Sequence, residues 1–115
     1  MTSVEVSKEL ANNVYEIIET AKTTGKVIKG TNEATKAIEK GQAKLVVIAK
    51  DVSPPEIIMH IPLIAEEKDV PCFTVPSKEE LGAAAGIDVG TGSVVVTEEG
   101  EAKNLIRDIL TKAKQ

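Results

Sequence analysis

Aromatic residues are nearly missing from this chain. Tyr15 and Phe73 are the only two, and tryptophan is absent, which disfavours a protein that grips single-stranded nucleic acid on a platform of stacked rings. A lone Cys72 excludes an intramolecular disulfide and a thiolate metal cluster, so a reducing compartment is the natural setting. His60 is the one histidine, and no Cys/His pair has ligand spacing. No apolar run approaches membrane-spanning length. The opening MTSVEVSKEL has neither the apolar core of a signal peptide nor an arginine-rich presequence, so a cytoplasmic location without membrane contact is expected. Walker A and GxGxxG patterns are absent as well.

What is present fits an ordinary globular protein. At 115 residues, 42% hydrophobic and 28% charged, the chain is expected to form one domain over residues 1–115 with a real core. The net charge of -4 argues against nucleic acid only on average. Binding responds to local potential, and lysines gathered on one face can coexist with a carboxylate-rich opposite face.

Helical and strand patterns alternate along the chain. Residues 4–23 place Val6, Leu10, Val14, Ile17, Ile18 and Ala21 on one stripe, with Thr2 and Glu5 as a capping-box pattern and Gly25 as the stop. Residues 26–28 read as a strand. Thr31 or Asn32 caps a second helix that Gly41 closes. The run 45–49 is continuously apolar, as in a strand buried on both faces. Pro55 suits the start of a helix over 56–68 with Ile57, Ile58, Ile61, Ile64 and Ala65 inward and Pro62 as an internal bend. His60 within that pattern reads as a packed, hydrogen-bonded structural histidine, and Cys72 as a small hydrophobe opening the strand 72–75. Ser77 and Glu80 form a second capping box for a short helix ending at Gly86, where Ala83, Ala84 and Ala85 permit close approach of a neighbour. A strand over 93–97 and a helix over 101–114, with Leu105, Ile106, Ile109 and Leu110 inward, complete the chain. The expected fold is α/β: a three-layer α-β-α sandwich with a four-stranded mixed central sheet and helices on both faces.

The stretch KVIKGTNEATKAIE, residues 26–39, is a strand feeding a helix N-terminus through one glycine. Such a turn aims free amide groups and the positive end of the helix dipole outward, and Asn32, Glu33 and Lys36 share one face. A carboxylate accepts from guanine N–H groups, a lysine donates to guanine O6 or N7, and a side-chain amide pairs with adenine. Taken alone, the pattern is read first as Thr31 and Asn32 capping the helix, Glu33 complementing its dipole and Lys36 as a solvated side chain.

Three stretches in order and spacing carry a resemblance that covers nearly the whole chain. KGTNEATK at 29–36, VVIAKDVSPPEIIMHIPLIAEEKDVPCFTV at 46–75 and SKEELGAAAGIDV at 77–89 are similar to the kink-turn RNA-binding ribosomal protein family. In that family's archaeal large-subunit member the loop and helix grip the sheared G·A pairs of a sharply bent RNA. The resemblance implies a non-catalytic, monomeric, cofactor-free RNA binder whose site comprises Lys26, Lys29, Gly30, Thr31, Asn32, Glu33, Lys36, Ile57, Lys78, Ile87, Asp88 and Val89. Glu33 and Lys36 would read guanine edges, Asn32 would bridge them, and the amides of Gly30 and Thr31 would take phosphate or base oxygens. Ile87 and Val89 would offer an apolar wall to a flung-out nucleotide, unless they point into the core. Lys40, Lys44 and Lys50 are outer candidates for phosphate. The implied partners are ribosomal RNA, box C/D and H/ACA guide RNA and archaeal RNase P RNA, with a link to tRNA processing; guide-RNP scaffold proteins dock through the bound RNA. DNA is not among them.

Two other classes of function compete. IDVGTGS at 87–93 resembles the phosphate hairpin of actin-like and sugar-kinase ATPases, but those enzymes need two domains and a second phosphate loop, and there is room for neither. Its glycines are read as turn chemistry. A protein-interaction module of the same fold that ignores RNA is the other rival.

Overall fold

The computed structural model describes residues 4–113. A two-residue strand β1 (Val4–Glu5) leads into α1 (Lys8–Thr24), followed by β2 (Lys26–Lys29), α2 (Thr31–Glu39), β3 (Leu45–Ala49), α3 (His60–Glu67), β4 (Cys72–Val75), α4 (Lys78–Ala84), β5 (Ser93–Glu98) and α5 (Lys103–Ala113). Short 3-10 turns at Pro55–Ile57 and Gly100–Ala102 precede α3 and α5. None of the described helices is long and apolar enough to cross a membrane.

The four expected strands form the mixed sheet, and β1 extends its edge in the order β1-β4-β3-β5-β2. β3 runs parallel to β4 and antiparallel to β5, while β5 pairs antiparallel with β2. The continuous apolar run of β3 is the reason it lies centrally, because every residue of it is buried. Its side chains alternate. Leu45, Val47 and Ala49 enter the core beneath α1, α4 and α5, with Ile17, Ile18, Phe73, Leu81 and Ile109, whereas Val46 and Ile48 join Ala34, Ile38, Ile61 and Ala65 beneath α2 and α3. That period of two divides the molecule into three layers.

Several local expectations give way to tertiary context. The helix expected from residue 4 begins at Lys8, where the Ser7 hydroxyl accepts the Leu10 amide at 3.3 Å. Glu5 is drawn instead into the sheet beside β4, and Thr2 lies outside the described residues. The single helix expected over 56–68 is split. Pro62 occupies the first turn of α3, where its missing N–H costs no intrahelical bond, and is not the interruption within a helix over 56–68 that was expected. That break leaves Ile57 46% exposed on a 3-10 turn, out of the expected buried stripe. His60, the first residue of α3, is hydrogen-bonded as expected, its Nε2 lying 2.9 Å from Thr35 Oγ1, but it is exposed and not packed among apolar groups. Cys72 is buried, and burial pushes its thiol up to about 12, which keeps it a neutral small hydrophobe. Ser77 caps α4 by accepting the Glu80 amide at 3.1 Å.

Candidate nucleic-acid interface

The start of α2 is a glycine turn with no side-chain cap. Gly30 takes φ 97° and ψ 146°, a region that only glycine adopts readily. Neither Thr31 nor Asn32 is the cap, because both already lie inside the helix. The Thr31 hydroxyl turns inward and accepts from Ser93 Oγ at 3.4 Å. The Gly30 amide faces the same way, donating to the Ser93 carbonyl at 3.1 Å. It is therefore not the free anion donor expected of it. The first intrahelical bond runs from Ala34 N–H to the Gly30 carbonyl at 2.9 Å, so the amides of Thr31, Asn32 and Glu33 have no acceptor within the helix. They stand at its positive end.

Asn32, Glu33 and Lys36 are exposed on this first turn and a half. Their burial-facing neighbours Ala34, Ala37 and Ile38 hold the opposite face of α2 against the sheet. Lys36 Nζ lies 3.6 Å from Glu33 Oε1, with both side chains 63% exposed. An exposed pair of this kind holds little energy, so both groups are available to another partner. Thr35 returns its hydroxyl to the Thr31 carbonyl at 2.8 Å and meets His60 Nε2 at 2.9 Å, on the side of α3.

The second half of the surface is the connection between α4 and β5. Ile87 donates its amide to the Gly82 carbonyl at 3.0 Å, and Thr91 donates its amide to the Lys78 carbonyl at 3.0 Å. Between these ties the chain passes so close to α4 that a Cβ on Gly82 would collide with the Val89 carbonyl. It is Gly82, more than the alanines after it, that permits the approach; Ala84 and Ala85 are buried and Ala83 is exposed. Held this way, the connection presents Val89 outward at 71% exposure, with Asp88 exposed and Ile87 half-buried. Val89 is not a core residue.

Lysines surround this surface unevenly. Lys29 is exposed and immediately precedes the Gly30 turn; Lys36 belongs to the trio. Lys78, half-buried at the start of α4, runs beside Gly90, and its amide is held by Asp51 Oδ1 at 2.8 Å. Lys26 is exposed but lies at the far end of β2, about 13 Å from the turn at ~3.3 Å per residue. There it shares a shallow groove with Gly41, Gln42 and Lys44. Ile57 is exposed on the 3-10 turn, and its neighbour Ile58 packs toward Gly92 at the root of the α4–β5 connection.

Two residues of this region are absent from the sequence-derived set. Thr91 and Ser93 are the buried polar side chains among the described residues, at 6% and 0% exposure. Their only local signal is a pair of hydroxyl residues flanking Gly92 where a strand begins. Met59 and Leu63 of the α3 region are exposed at 61% and 58%, where helical periodicity alone gives no orientation. The larger groove between α1 and α4, lined by Asn12, Tyr15, Glu19, Lys22 and Glu80 among others, contains none of the expected site residues. Among the described residues no group of three or more His, Cys, Asp or Glu side chains is placed to hold a metal.

The arrangement offers an acceptor, a cation and an amide side by side, free backbone donors at a helix end, and an apolar projection on the connection whose Gly92 borders Thr31. It is an open surface. Comparison with known proteins spans most of this architecture. The model of the ribosomal protein L7Ae/L30e/S12e/Gadd45 family matches residues 12–106. Among solved structures, the 15.5kD RNA binding protein of Giardia lamblia is similar at a TM-score of 0.89 and 31% identity, the match covering 95% of this chain and 91% of that one.

Proposed function

Since the chain belongs to the ribosomal protein L7Ae/L30e/S12e/Gadd45 family, we propose that it is a non-catalytic RNA-binding protein that recognises a kink-turn through its tandem sheared G·A pairs. The similar structure from Giardia lamblia is described as an RNA binding protein, which supports the partner class. The observation that carries the finer reading is the exposed trio Asn32, Glu33 and Lys36 on one turn of α2, beside the outward Val89.

In this reading Glu33 accepts from guanine N–H groups, Lys36 donates to guanine O6 or N7, and Asn32 bridges the two purine pairs. The ion pair between Glu33 and Lys36 opens as each takes a base edge. Amides of Thr31 and Asn32 meet phosphate or base oxygens at the positive helix end. Ile87 and Val89 cover a nucleotide turned out of the stack, and Asp88 lies at the same edge. A sharp bend crowds phosphates together, and a protein that binds only the bent form shifts the population toward it. Lys29 and Lys78 neutralise phosphates at the bend; Lys26, with Lys44, serves the stem that leaves it. Ile57 flanks the wall on the side of α3.

The RNAs that fit this role are large-subunit ribosomal RNA, box C/D and H/ACA guide RNA and RNase P RNA, the last of these linking the protein to tRNA processing. Guide-RNP scaffold proteins would join through the bound RNA, in the cytoplasm. A duplex labelled at both ends with a donor and an acceptor fluorophore tests the reading. Adding the protein in low-magnesium buffer is expected to raise energy transfer for a kink-turn duplex and to leave a fully paired duplex unchanged; equal responses would overturn it.

A further inference from the structure

The polar trio and the apolar wall belong to different elements, far apart in the chain, yet they must face one ligand together. Their relative placement converges on one atom. The Ser93 carbonyl accepts the Gly30 amide at 3.1 Å and the Thr91 hydroxyl at 3.1 Å. The first bond fastens the turn that starts α2, and the second fastens the connection that carries Ile87 and Val89. A carbonyl oxygen has two acceptor positions, and here both are used.

Thr91 is the residue through which these ties divide. Its backbone amide reaches α4 at the Lys78 carbonyl, 3.0 Å away, while its side chain reaches Ser93 and so the α2 turn. One residue further on, the Gly92 carbonyl accepts the Ala49 amide at 2.9 Å, so the chain has already entered the sheet. The Thr91 hydroxyl thus ties the loop to Ser93, which in turn meets the start of α2 through its carbonyl on the Gly30 amide and its own hydroxyl on Thr31 Oγ1. It is 6% exposed. Burying a hydroxyl costs free energy unless it is hydrogen-bonded, and a valine of the same shape would fill the space with nothing to satisfy. A purely space-filling role would not call for threonine there.

We infer that Thr91 is a positioning residue for the RNA surface: through the Ser93 carbonyl, its hydroxyl holds the Ile87–Val89 wall at a fixed distance from Asn32 and Glu33. The inference rests on the RNA reading above. Fixing the two halves before the ligand arrives removes an ordering cost from binding. Thr91 touches no nucleotide itself; its effect passes through Val89.

Affinity for a kink-turn duplex, measured by titration calorimetry on the full chain, tests this with Thr91→Val, Thr91→Ala and Thr91→Ser, each also carried into a Val89→Ala background. Thermal unfolding and circular dichroism check that each variant folds, and Thr91→Ala stands in should the isosteric change fail to fold. Loss of the hydroxyl is expected to weaken binding about five- to tenfold, the effect of one neutral buried hydrogen bond, while Thr91→Ser stays within about twofold of the parent. In the Val89→Ala background the same change should cost clearly less, because the exposed part of the wall is gone and only Ile87 remains to be placed. Undiminished loss in that background, or unchanged affinity of Thr91→Val while Glu33→Ala abolishes binding, overturns the inference and leaves the RNA reading intact. Failure of the unmodified protein to bind the kink-turn overturns the RNA reading itself, and this inference with it.

Discussion

The Gly30 amide donates to the carbonyl of Ser93 at 3.1 Å, so the turn that opens α2 is fastened to the first residue of β5 and does not offer that N–H to solvent. The free donors of the helix end are consequently those of Thr31, Asn32 and Glu33. Gly30 is needed for its backbone shape, since nothing lies within 4 Å of a Cβ added to it. Gly30→Ala is therefore expected to cost about 1–3 kcal/mol through strain alone. It should weaken RNA binding as well, because the turn that aims the trio is the part that is strained. Urea unfolding beside a binding titration checks both effects.

Gly82 presents the opposite case, because space and not backbone conformation is limiting. A methyl group there would meet the Val89 carbonyl, and the main chain at that point cannot swing away like the end of a lysine. Gly82→Ala is expected to displace the connection between α4 and β5, lowering affinity for the kink-turn duplex and the protection of the Ile87 amide, which donates to the Gly82 carbonyl. Hydrogen exchange resolved at that amide would show the displacement without RNA.

Phosphate binding announces itself through salt. Replacing Lys29 or Lys78 by alanine is expected to reduce the slope of log affinity against log salt by about 0.7–0.9 for each phosphate that is no longer neutralised. Lys26, one strand length away, should give a smaller change. A slope insensitive to Lys29 and Lys78 together would mean that the RNA lies on another face.

Cys72 supplies a dependence on pH. Burial holds the folded thiol's pKa at about 12 against an ordinary value of 9.0. Above pH 9 the unfolded chain releases this proton while the folded one retains it, so the unfolded state binds fewer protons and stability falls with rising pH. The contribution is complete below pH 9 and is lost between there and about 12. Stability measured across that window should fall more steeply in the parent than in Cys72→Ala, and Ellman's reagent should react with the native thiol only as fast as the protein unfolds.

What could be read in the sequence was whatever depends on local burial periodicity. The stripe of α1 and the uninterrupted run of β3 were enough to require a layered α/β sheet, because side chains in a helix or strand repeat their direction over a few residues. The start of α1 was not legible: Thr2 with Glu5 reads as a cap in the local pattern, and the helix starts after Ser7 instead because β4 takes Val4–Glu5 as a strand partner. The trio on α2 was legible for the same reason as the helix. The outward direction of Val89 was not, since it follows from the close approach of its carbonyl to Gly82 on α4; nor was the burial of Thr91, because the local bond from its hydroxyl to the Ser93 carbonyl does not tell which way the side chain faces.

The most direct test of base recognition by α2 compares two duplexes that differ only at the tandem sheared pairs, one carrying G·A and the other Watson–Crick G·C, against the parent, Asn32→Ala, Glu33→Ala and Lys36→Ala. The parent is expected to prefer the G·A duplex strongly, and Glu33→Ala or Lys36→Ala to surrender about 1–3 kcal/mol of that preference. Equal binding of both duplexes by the parent, or a preference untouched by all three substitutions, would contradict it.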